Sequence, residues 1–347
     1  MFLVLIGALT GTDSWRSIEV YGKDHLEFFR KYFDFTNGIP SHQTISRVFS
    51  LFKPRAFELF FSLFSKQMMP EADAKLIALN GKTLRKSFDK ASGQKSLHVL
   101  NACAVESGIC LGQIPVDKKS NEIAVVPEML DVLDVNGATI SVDALNTQKN
   151  TAAKIIEEKS DYTLALKGNH KHLNEKVGFI FDTKYYVEDV YSHTEVEKTH
   201  GRITERTFEV IPVNANLLVD EVQEWKGLKA IGKYNTQTEK DGQKTKETRY
   251  YLLIYHDVHH FAKFARGHWG IENRLHWTLD VTFKEDASRV RKDHAPRNFA
   301  VVRKLAMNIL RLSKTDFSLP LMKRKATYDH KYLTDILEKA GIKPQFR

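Results

Sequence analysis

An apolar run in the sequence ends at a polar residue, as a buried strand does at the edge of a sheet. The segment LIALNGKTLRKS begins with the apolar residues Leu76 to Leu79 and breaks at Asn80 and Gly81. In many α/β enzymes this edge carries a catalytic carboxylate. The residue in this place is an amide. Asn80 is therefore either an ordinary turn residue or the replacement of a metal-binding aspartate.

A second set of chemically useful side chains recurs every four residues. His268, Glu272 and His276 have the spacing that places side chains on one face of a helix. An adjacent face adds two indoles and an amide: Trp269, Asn273 and Trp277. This pattern favours a polar and aromatic cluster around one carboxylate. The alternative is a solvent-facing glutamate beside partly buried tryptophans that serve only in packing.

The predicted elements around Asn80 bring it close to a carboxylate. The sequence first predicts three strands: KLIALN, LHVLNACAVE and ICLGQIPV. A helix, NEIAVVPEMLDVLD, and a strand, ATISVDA, come next. The last two elements are a helix, TQKNTAAKIIEEKS, with Thr147 as its cap, and a strand, DYTLALKGN. The order β-β-β-α-β-α-β predicts an antiparallel meander and then two strands parallel to the first. A fourth strand beside the first puts Asn80 and Asp143 at neighbouring strand ends. This is the strand order of a ribonuclease H-like sheet.

The remaining segments predict the domain organisation. Residues 1–70 form a helical region with Ser41 as a cap, and residues 71–168 form the first part of the core. Residues 169–261 alternate polar and apolar side chains, with a hairpin turn at Asp241-Gly242, and form a β-rich insertion. Residues 262–315 complete the core with the helices that carry Glu272, and residues 316–347 form a basic helical tail.

Composition excludes several classes of protein. The chain of 347 residues is 42% hydrophobic and 27% charged, as in ordinary globular proteins. Two cysteines cannot make a disulfide framework at this length, so we expect a reducing, cytoplasmic location. The apolar segment Met1–Gly11 is too short to span a bilayer. It predicts a core helix, and we expect no membrane partner.

The positive charge is concentrated near the C-terminal end. Between residues 289 and 325 there are eleven Lys and Arg against two Asp, an excess equal to the +9 of the whole chain. Such localisation indicates a polyanion, most often nucleic acid, or else a solvated basic surface. Arg297, Lys304 and Arg311 lie seven residues apart, opposite an apolar face, and predict an outward stripe. We expect the stripe, with Arg289 and Arg291, to contact DNA phosphates.

The sequence resembles the DDE transposases of bacterial insertion sequences, in the branch that includes the H-repeat-associated proteins found beside Rhs elements. The resemblance runs from Met1 to about residue 335 and rests on six motifs in this order: LNGKTLRKS, VDKKSNEI, TISVDALNTQK, DYTLALKGN, HGRITERTFEV and HWGIENRLHWTLDVTFKEDASRVR. Each motif alone is weak, but six in register are very specific. They imply an α/β, ribonuclease H-like (retroviral integrase-like) mixed-sheet core with a β-rich insertion and an N-terminal helical region.

The resemblance also implies a site and its ligands. It gives catalytic and metal-binding positions to Asn80, Asp143 and Glu272, with Mg²⁺ as the cofactor and Mn²⁺ as a substitute. It implies double-stranded DNA as partner, both terminal inverted repeats and target. A homodimer on that DNA is left open by the sequence. His268 stands where related enzymes often have an arginine, so a protonated His268, and also His276, could contact a phosphate. The family further implies additional residues before Met1.

Asn80 is where the sequence departs from the family pattern. Three carboxylates would hold two Mg²⁺ ions, and an amide supplies only a neutral oxygen. The loss of one of the three carboxylates predicts a rate of DNA cleavage that is lower by on the order of a thousandfold or more. Three functions stay open: an insertion-sequence transposase that nicks element ends and joins the 3′-hydroxyls to a target, an inactive or domesticated DNA-binding protein of the same fold, and a stand-alone nuclease of that fold.

Overall fold

The computed structural model describes residues 1–69, 76–88, 93, 95–116, 121–199, 201–214, 216–313 and 315–345. The chain divides into two compact units. The first unit comprises Met1–Asp73, Gly81–Lys118 and Glu272–Arg347, and the second comprises Ala74–Asn80 and Lys119–Ile271. Strand β1, Leu76–Leu84, contributes residues to both units.

Helices form the N-terminal part of the first unit, as predicted for residues 1–70. Their bounds are α1 Phe2–Thr10, α2 Trp15–Asp24, α3 Leu26–Arg30, α4 His42–Leu51 and α5 Pro54–Met68. Helix α1 is buried from Leu3 to Thr10, which confirms the predicted core helix. The hydroxyl of Ser41 accepts a hydrogen bond from the backbone N–H of Thr44, which confirms the predicted cap of α4.

A hairpin and further helices follow in the described part of the first unit. Strands β2 (Leu97–Ala104) and β3 (Cys110–Pro115) pair antiparallel, and Gly108, in the turn between them, has a positive φ of 72°, which glycine adopts readily. The helices are α11 Trp277–Val281, α12 Ala295–Leu312, α13 Leu319–Tyr328 and α14 His330–Lys339. A π-helix, Ile271–His276, leads directly into α11.

Helix α12 covers the edge strand β3. The side chain of Asn308 accepts a hydrogen bond from the backbone N–H of Cys110 at 2.9 Å and donates one to its carbonyl oxygen at 2.8 Å. A single amide side chain therefore takes the place of a neighbouring strand. This satisfies backbone groups that an uncovered edge would leave open.

The core of the second unit has the predicted order of elements. After β1 come α6 Glu122–Val132, β4 Thr139–Val142, α7 Lys149–Glu157 and β5 Asp161–Leu166. Strands β1 and β4 are parallel, and so are β4 and β5, which confirms the predicted crossovers. The predicted Thr147 cap is wrong. The N-terminal cap of α7 is Gln148, and the Thr147 hydroxyl donates to the carbonyl oxygen of Asp143 instead.

The insertion is β-rich, as predicted. It contains β6 Tyr191–Thr199, β7 Arg202–Pro212, β8 Ala230–Lys240 and β9 Gln243–Leu253, and the strand order within this unit is β1-β4-β5-β9-β8-β7-β6. Asp241 and Gly242 join β8 to β9 with φ values of 50° and 75°, the geometry of a type I′ hairpin. The sequence did not predict the helices α8 Lys171–Thr183 and α9 Val219–Glu224 in this region. Helix α10, Val258–Gly267, follows β9.

Both cysteines are buried and free. In the described parts of the chain, no helix has the length and apolar character that crossing a membrane requires.

Candidate active site

Asn80 and Asp143 lie side by side at one edge of the sheet. Strands β1 and β4 pair in parallel from Leu76 with Thr139 to Leu79 with Val142, so the next residues of the two strands are Asn80 and Asp143. Both side chains are partly exposed. This register confirms the predicted neighbouring strand ends. The catalytic roles of the two residues stay predictions.

Asn146 orients the carboxylate of Asp143. Oδ1 of Asp143 accepts hydrogen bonds from the backbone N–H of Asn146 at 3.0 Å and from its side-chain amide at 2.9 Å. The same amide nitrogen donates to Oε2 of Glu122 at 2.9 Å. Burial raises the pKa of Asp143 above its usual range, the Asn146 hydrogen bonds oppose the rise, and the charge of Glu122 adds to it. One buried amide therefore joins two carboxylates.

Sequence reasoning missed Asn146 and Glu122. Both lie in the quoted motifs VDKKSNEI and TISVDALNTQK, which were the signal that could have pointed to them. The motif DYTLALKGN also supports this edge of the sheet. Its Asn169 donates to the carbonyl oxygen of Ala144, and His170 follows it in the chain. His170 Nε2 lies 2.6 Å from the carbonyl oxygen of Thr147, so the loop after Asp143 is held at two points.

His268 contacts strand β4. It ends α10, and its Nδ1 lies 2.9 Å from the hydroxyl oxygen of Ser141 on β4. Burial, and then the charge of Arg249, lower the pKa of His268 to about 4. Burial thus acts against the protonated form of the imidazole. The phosphate contact of a protonated His268 stays a prediction.

Glu272 extends from a π-helix and not from a regular α-helix. Its side chain is exposed, and residues Ile271–His276 have the i to i+5 pattern of a π-helix, so the predicted regular α-helical face is wrong here. Such turns are rare and frequently mark functional sites. Nε2 of His276, the other predicted phosphate contact, lies 3.4 Å from the side-chain nitrogen of Asn101.

The tryptophans of this region are exposed. Trp277 is 62% exposed and Trp269 is 42% exposed, and the guanidinium of Arg249 lies 4.5 Å from the centre of the Trp269 ring. Trp277 is thus more exposed than the packing alternative assumed, whereas Trp269 is less exposed and packs against Arg249. Their role at a site stays a prediction.

The basic stripe of α12 does not face outward, contrary to the prediction. Nε of Arg297 donates to the buried carboxylate of Glu58 at 2.6 Å. Lys304 has no exposed surface, and its ammonium lies 2.8 Å from the amide oxygen of Gln113. Arg311 donates to the carbonyl oxygens of Gly108 and Arg274.

The reason for the error is the position of α12 in the first unit. This helix packs against α1, α5, α13 and β3, so it is covered on more than one side. Its cations bond to carboxylates, amides and carbonyls inside the protein. Lys304 has no exposed surface, and Arg297 and Arg311 are only partly exposed, so the stripe is not the fully exposed one that the predicted DNA contacts assumed.

The other two predicted DNA contacts differ in their exposure. Arg289 is exposed. Arg291 is partly buried, donates to the carbonyl oxygen of Lys86 at 3.2 Å and lies 5.0 Å from the centre of the Phe88 ring. Lys314, in the same basic segment, lies outside the described residues.

With Asn80 in place of an aspartate, the chain lacks the third carboxylate that the predicted pair of Mg²⁺ ions, or of Mn²⁺ ions in their place, would use. Within the described residues, no three His, Cys, Asp or Glu side chains form a group that could hold a metal ion. At the β1–β4 edge, Asp143 offers a carboxylate, and Asn80 offers only an uncharged amide oxygen. The metal site therefore stays a prediction.

Comparison with known families agrees with the sequence motifs. The family described as Transposase DDE domain matches residues 71–309, and the family described as DDE_Tnp_1-associated matches residues 1–65. The putative protein YbfL of Escherichia coli K12 is 37% identical over 99% of this chain and 92% of its own length. The H repeat-associated putative transposase YhhI of the same strain is 36% identical, with the same coverage.

A solved structure is more distantly similar. The piggyBac transposase in a synaptic complex with hairpin DNA has a TM-score of 0.42 at 10% identity, over 100% of this chain and 73% of that chain. The assignment of this chain to a family rests on the family match and on the curated relatives. The DDE domain has a ribonuclease H-like fold, which confirms the predicted fold class, and enzymes of this family generally use a divalent metal. With a family match over more than half of its length and curated relatives that align with nearly all of it, the chain belongs to the DDE transposase family.

Proposed function

We propose that this chain is the transposase of an insertion sequence whose cleavage activity is impaired by Asn80. In the active form, it cleaves double-stranded DNA at the terminal inverted repeats of its element in a Mg²⁺-dependent reaction and joins the ends to a target. Family membership and the six motifs support this proposal. We place the protein in the cytoplasm of a bacterium, at the nucleoid when it is bound to DNA as a homodimer.

The neighbouring positions of Asn80 and Asp143 are the observation that carries the impaired activity. Two carboxylates on adjacent parallel strands would face the same space, and here one of them is an amide. The metal ions supply charge stabilisation for the attacking and leaving oxygens when they are bound. With one anionic ligand fewer, the expected loss is several kcal/mol of transition-state stabilisation, or a rate lower by about a thousandfold.

In this proposal, the chain's own residues divide the remaining work. Asp143 and Glu272 are the acidic residues that remain from the family triad. Asn146 fixes the orientation of the Asp143 carboxylate through its two hydrogen bonds. The exposed Arg289 contacts DNA phosphates, and such contacts position the duplex without reading its sequence.

The same substitution favours a second function. A chain that keeps the transposase fold but lacks one catalytic carboxylate could serve as an inactive or domesticated DNA-binding protein. Asn80 supports this alternative for the chain as it stands. The two functions differ in whether the Asn80→Asp variant cleaves DNA. Cleavage is expected only for the transposase, in which the carboxylate at this position is the one missing catalytic group.

The test is metal-dependent nicking of supercoiled DNA that carries the element ends. With Mg²⁺ or Mn²⁺, we expect freshly purified protein to cleave almost no DNA and the Asn80→Asp variant to cleave it. Adding Asp143→Asn or Glu272→Gln to that variant should abolish cleavage, since each removes another anionic ligand. Strong cleavage by the unaltered chain would refute the impairment. An Asn80→Asp variant that binds DNA but does not cleave it would favour the inactive DNA-binding protein.

A further inference from the structure

Lys82 is a buried lysine that holds two carboxylates. It lies in the motif LNGKTLRKS on β1 and is 8% exposed. Its ammonium lies 2.7 and 2.8 Å from the two carboxylate oxygens of Asp280 and 3.6 Å from Oδ1 of Asp286. A buried ammonium is unfavourable unless it is paired. The two carboxylates therefore keep this side chain inside the protein.

These ion pairs attach β1 to the segment that follows Glu272. Asp280 lies in α11, which continues directly from the π-helix. Asp286 follows α11, accepts a hydrogen bond from the backbone N–H of Arg85 at 3.2 Å and lies 3.3 Å from Nε of Arg85. Lys82 in β1 and Arg85, the residue that follows β1, thus bind two points of the segment.

A separate set of contacts holds the π-helix itself. The guanidinium of Arg274 donates to the carbonyl oxygens of Val105 at 2.9 Å and Glu106 at 2.8 Å, between β2 and β3. Leu275 and Leu279 have no exposed surface and anchor the inner face of this helical segment. The exposed Glu272 therefore extends from a segment that is fixed at Arg274 and again at Asp280.

We propose that Lys82 is a positioning residue for Glu272. Its ion pair with Asp280 sets the rotation and translation of the helical segment from which Glu272 extends. This inference rests on the proposed function, which gives Glu272 its catalytic role. A buried ion pair is directional and is often no more stabilising than an apolar pair, so its distinct contribution is a defined geometry. A displacement of a catalytic group by about 1 Å can slow a reaction by about a hundredfold.

Hydrogen–deuterium exchange tests the positioning without any need for activity. In Lys82→Met, we expect the amides of residues 272–281 to exchange about tenfold faster or more, while those of α12 keep their rates. The matched control is Lys154→Met. The ammonium of Lys154 also bonds two carboxylates, Asp131 at 2.5 Å and Glu158 at 2.6 Å, in the second unit. The control should leave residues 272–281 unchanged, and unchanged exchange in Lys82→Met would overturn the proposal.

Removing Lys82 leaves two carboxylates facing each other, which could unfold the protein. The double variant Lys82→Met with Asp280→Asn removes that repulsion and also removes the ion pair. It should show the same faster exchange in residues 272–281. If only the single variant loosens the segment, repulsion is the cause and the positioning role is refuted.

Cleavage assays in the Asn80→Asp background provide the second readout. Adding Lys82→Met should lower kcat by about tenfold to a hundredfold with little change in KM for DNA, because the role is in geometry and not in DNA binding. Lys82→Arg should restore part of kcat. An unchanged kcat would overturn the proposal. If the Asn80→Asp parent itself does not cleave, the proposed function fails, and the exchange data still decide whether Lys82 holds the segment.

Discussion

Glu58 and Arg297 form a salt bridge inside the first unit, with 3% of the Glu58 side chain exposed. Arg297 Nε donates to one carboxylate oxygen at 2.6 Å, and the amide of Gln113 donates to the same oxygen at 3.2 Å. The arginine was predicted to face DNA. It instead neutralises the buried carboxylate of Glu58, a residue of α5.

Arg297→Met should therefore destabilise the protein and leave DNA binding almost unaffected. The substitution leaves the charge of Glu58 buried without its partner, which typically costs about 3 kcal/mol or more. Urea denaturation measures this loss of unfolding free energy. The double variant Arg297→Met with Glu58→Leu should recover much of it. A small loss in the single variant, with a flatter salt dependence of DNA affinity, would return Arg297 to the DNA interface.

Arg289→Ala should have the opposite profile. Arg289 is exposed, so its loss should change stability by less than about 0.5 kcal/mol. One lost phosphate contact should reduce the slope of log K against log salt by about one unit, equally for specific and unrelated DNA. Arg30→Ala is the control, since Arg30 is an exposed arginine of α3 that pairs with Glu27. Titrations of labelled duplex at several salt concentrations decide between a contact and a solvated side chain.

The core strands β1 to β5 could be predicted from the sequence because each of them has a strong local signal, whereas the insertion could be predicted only as β-rich. Apolar runs that end at Asn80 and at Asp143, with a helix between successive parallel strands, leave few topologies open. The β1–β4 register then follows from the burial of the residues before each end. The positions of Asn80 and Asp143 beside each other could therefore be predicted without knowledge of the family.

The surroundings of the site could not be predicted in the same way. The seven-residue spacing of Arg297, Lys304 and Arg311 is typical of an exposed stripe, but it depends on what covers α12. The buried partner of Arg297 is a glutamate 239 residues away in sequence, which no local pattern reports. The π-helix at Glu272 likewise depends on packing, since residue spacing alone favours a regular α-helix.

His268 should make stability depend on pH below neutrality. Its pKa is lowered to about 4 in the folded protein and is near 6.5 in an unfolded chain. Below pH 6.5 the unfolded state binds more protons, so stability falls as the pH falls, until the folded-state pKa is reached. Between pH 7 and pH 5, the contribution is a loss of about 2 kcal/mol.

His268→Gln tests this contribution, because glutamine can bond the Ser141 hydroxyl but does not titrate. Urea denaturation at pH 7 and pH 5 should show a pH-dependent loss that is smaller in His268→Gln by about 2 kcal/mol. The exposed His256 gives the control variant, His256→Gln, which should keep the original loss. Equal pH dependence in the protein and in His268→Gln would show that the imidazole titrates normally.

Asn146→Ala should impair the Asn80→Asp form without unfolding it. The alanine removes the side-chain amide that bonds both Asp143 and Glu122, while the backbone hydrogen bond to Asp143 remains. The loss of a hydrogen bond to its charged form raises the pKa of Asp143 further. The acidic limb of the pH–rate profile should therefore move to higher pH. The rate on its plateau should fall by about tenfold to a hundredfold, as when residues that orient metal ligands are removed.

The matched control for Asn146→Ala is Asn169→Ala. Asn169 bonds the carbonyl oxygen of Ala144 in the same loop and contributes no hydrogen bond to either carboxylate among the described contacts. Asn169→Ala should lower stability modestly and leave the acidic limb in place, because only loop support is lost. If both variants slow cleavage equally and neither moves the limb, Asn146 holds the loop and does not orient Asp143. A shift confined to Asn146→Ala would assign the orientation of the Asp143 carboxylate to this one amide.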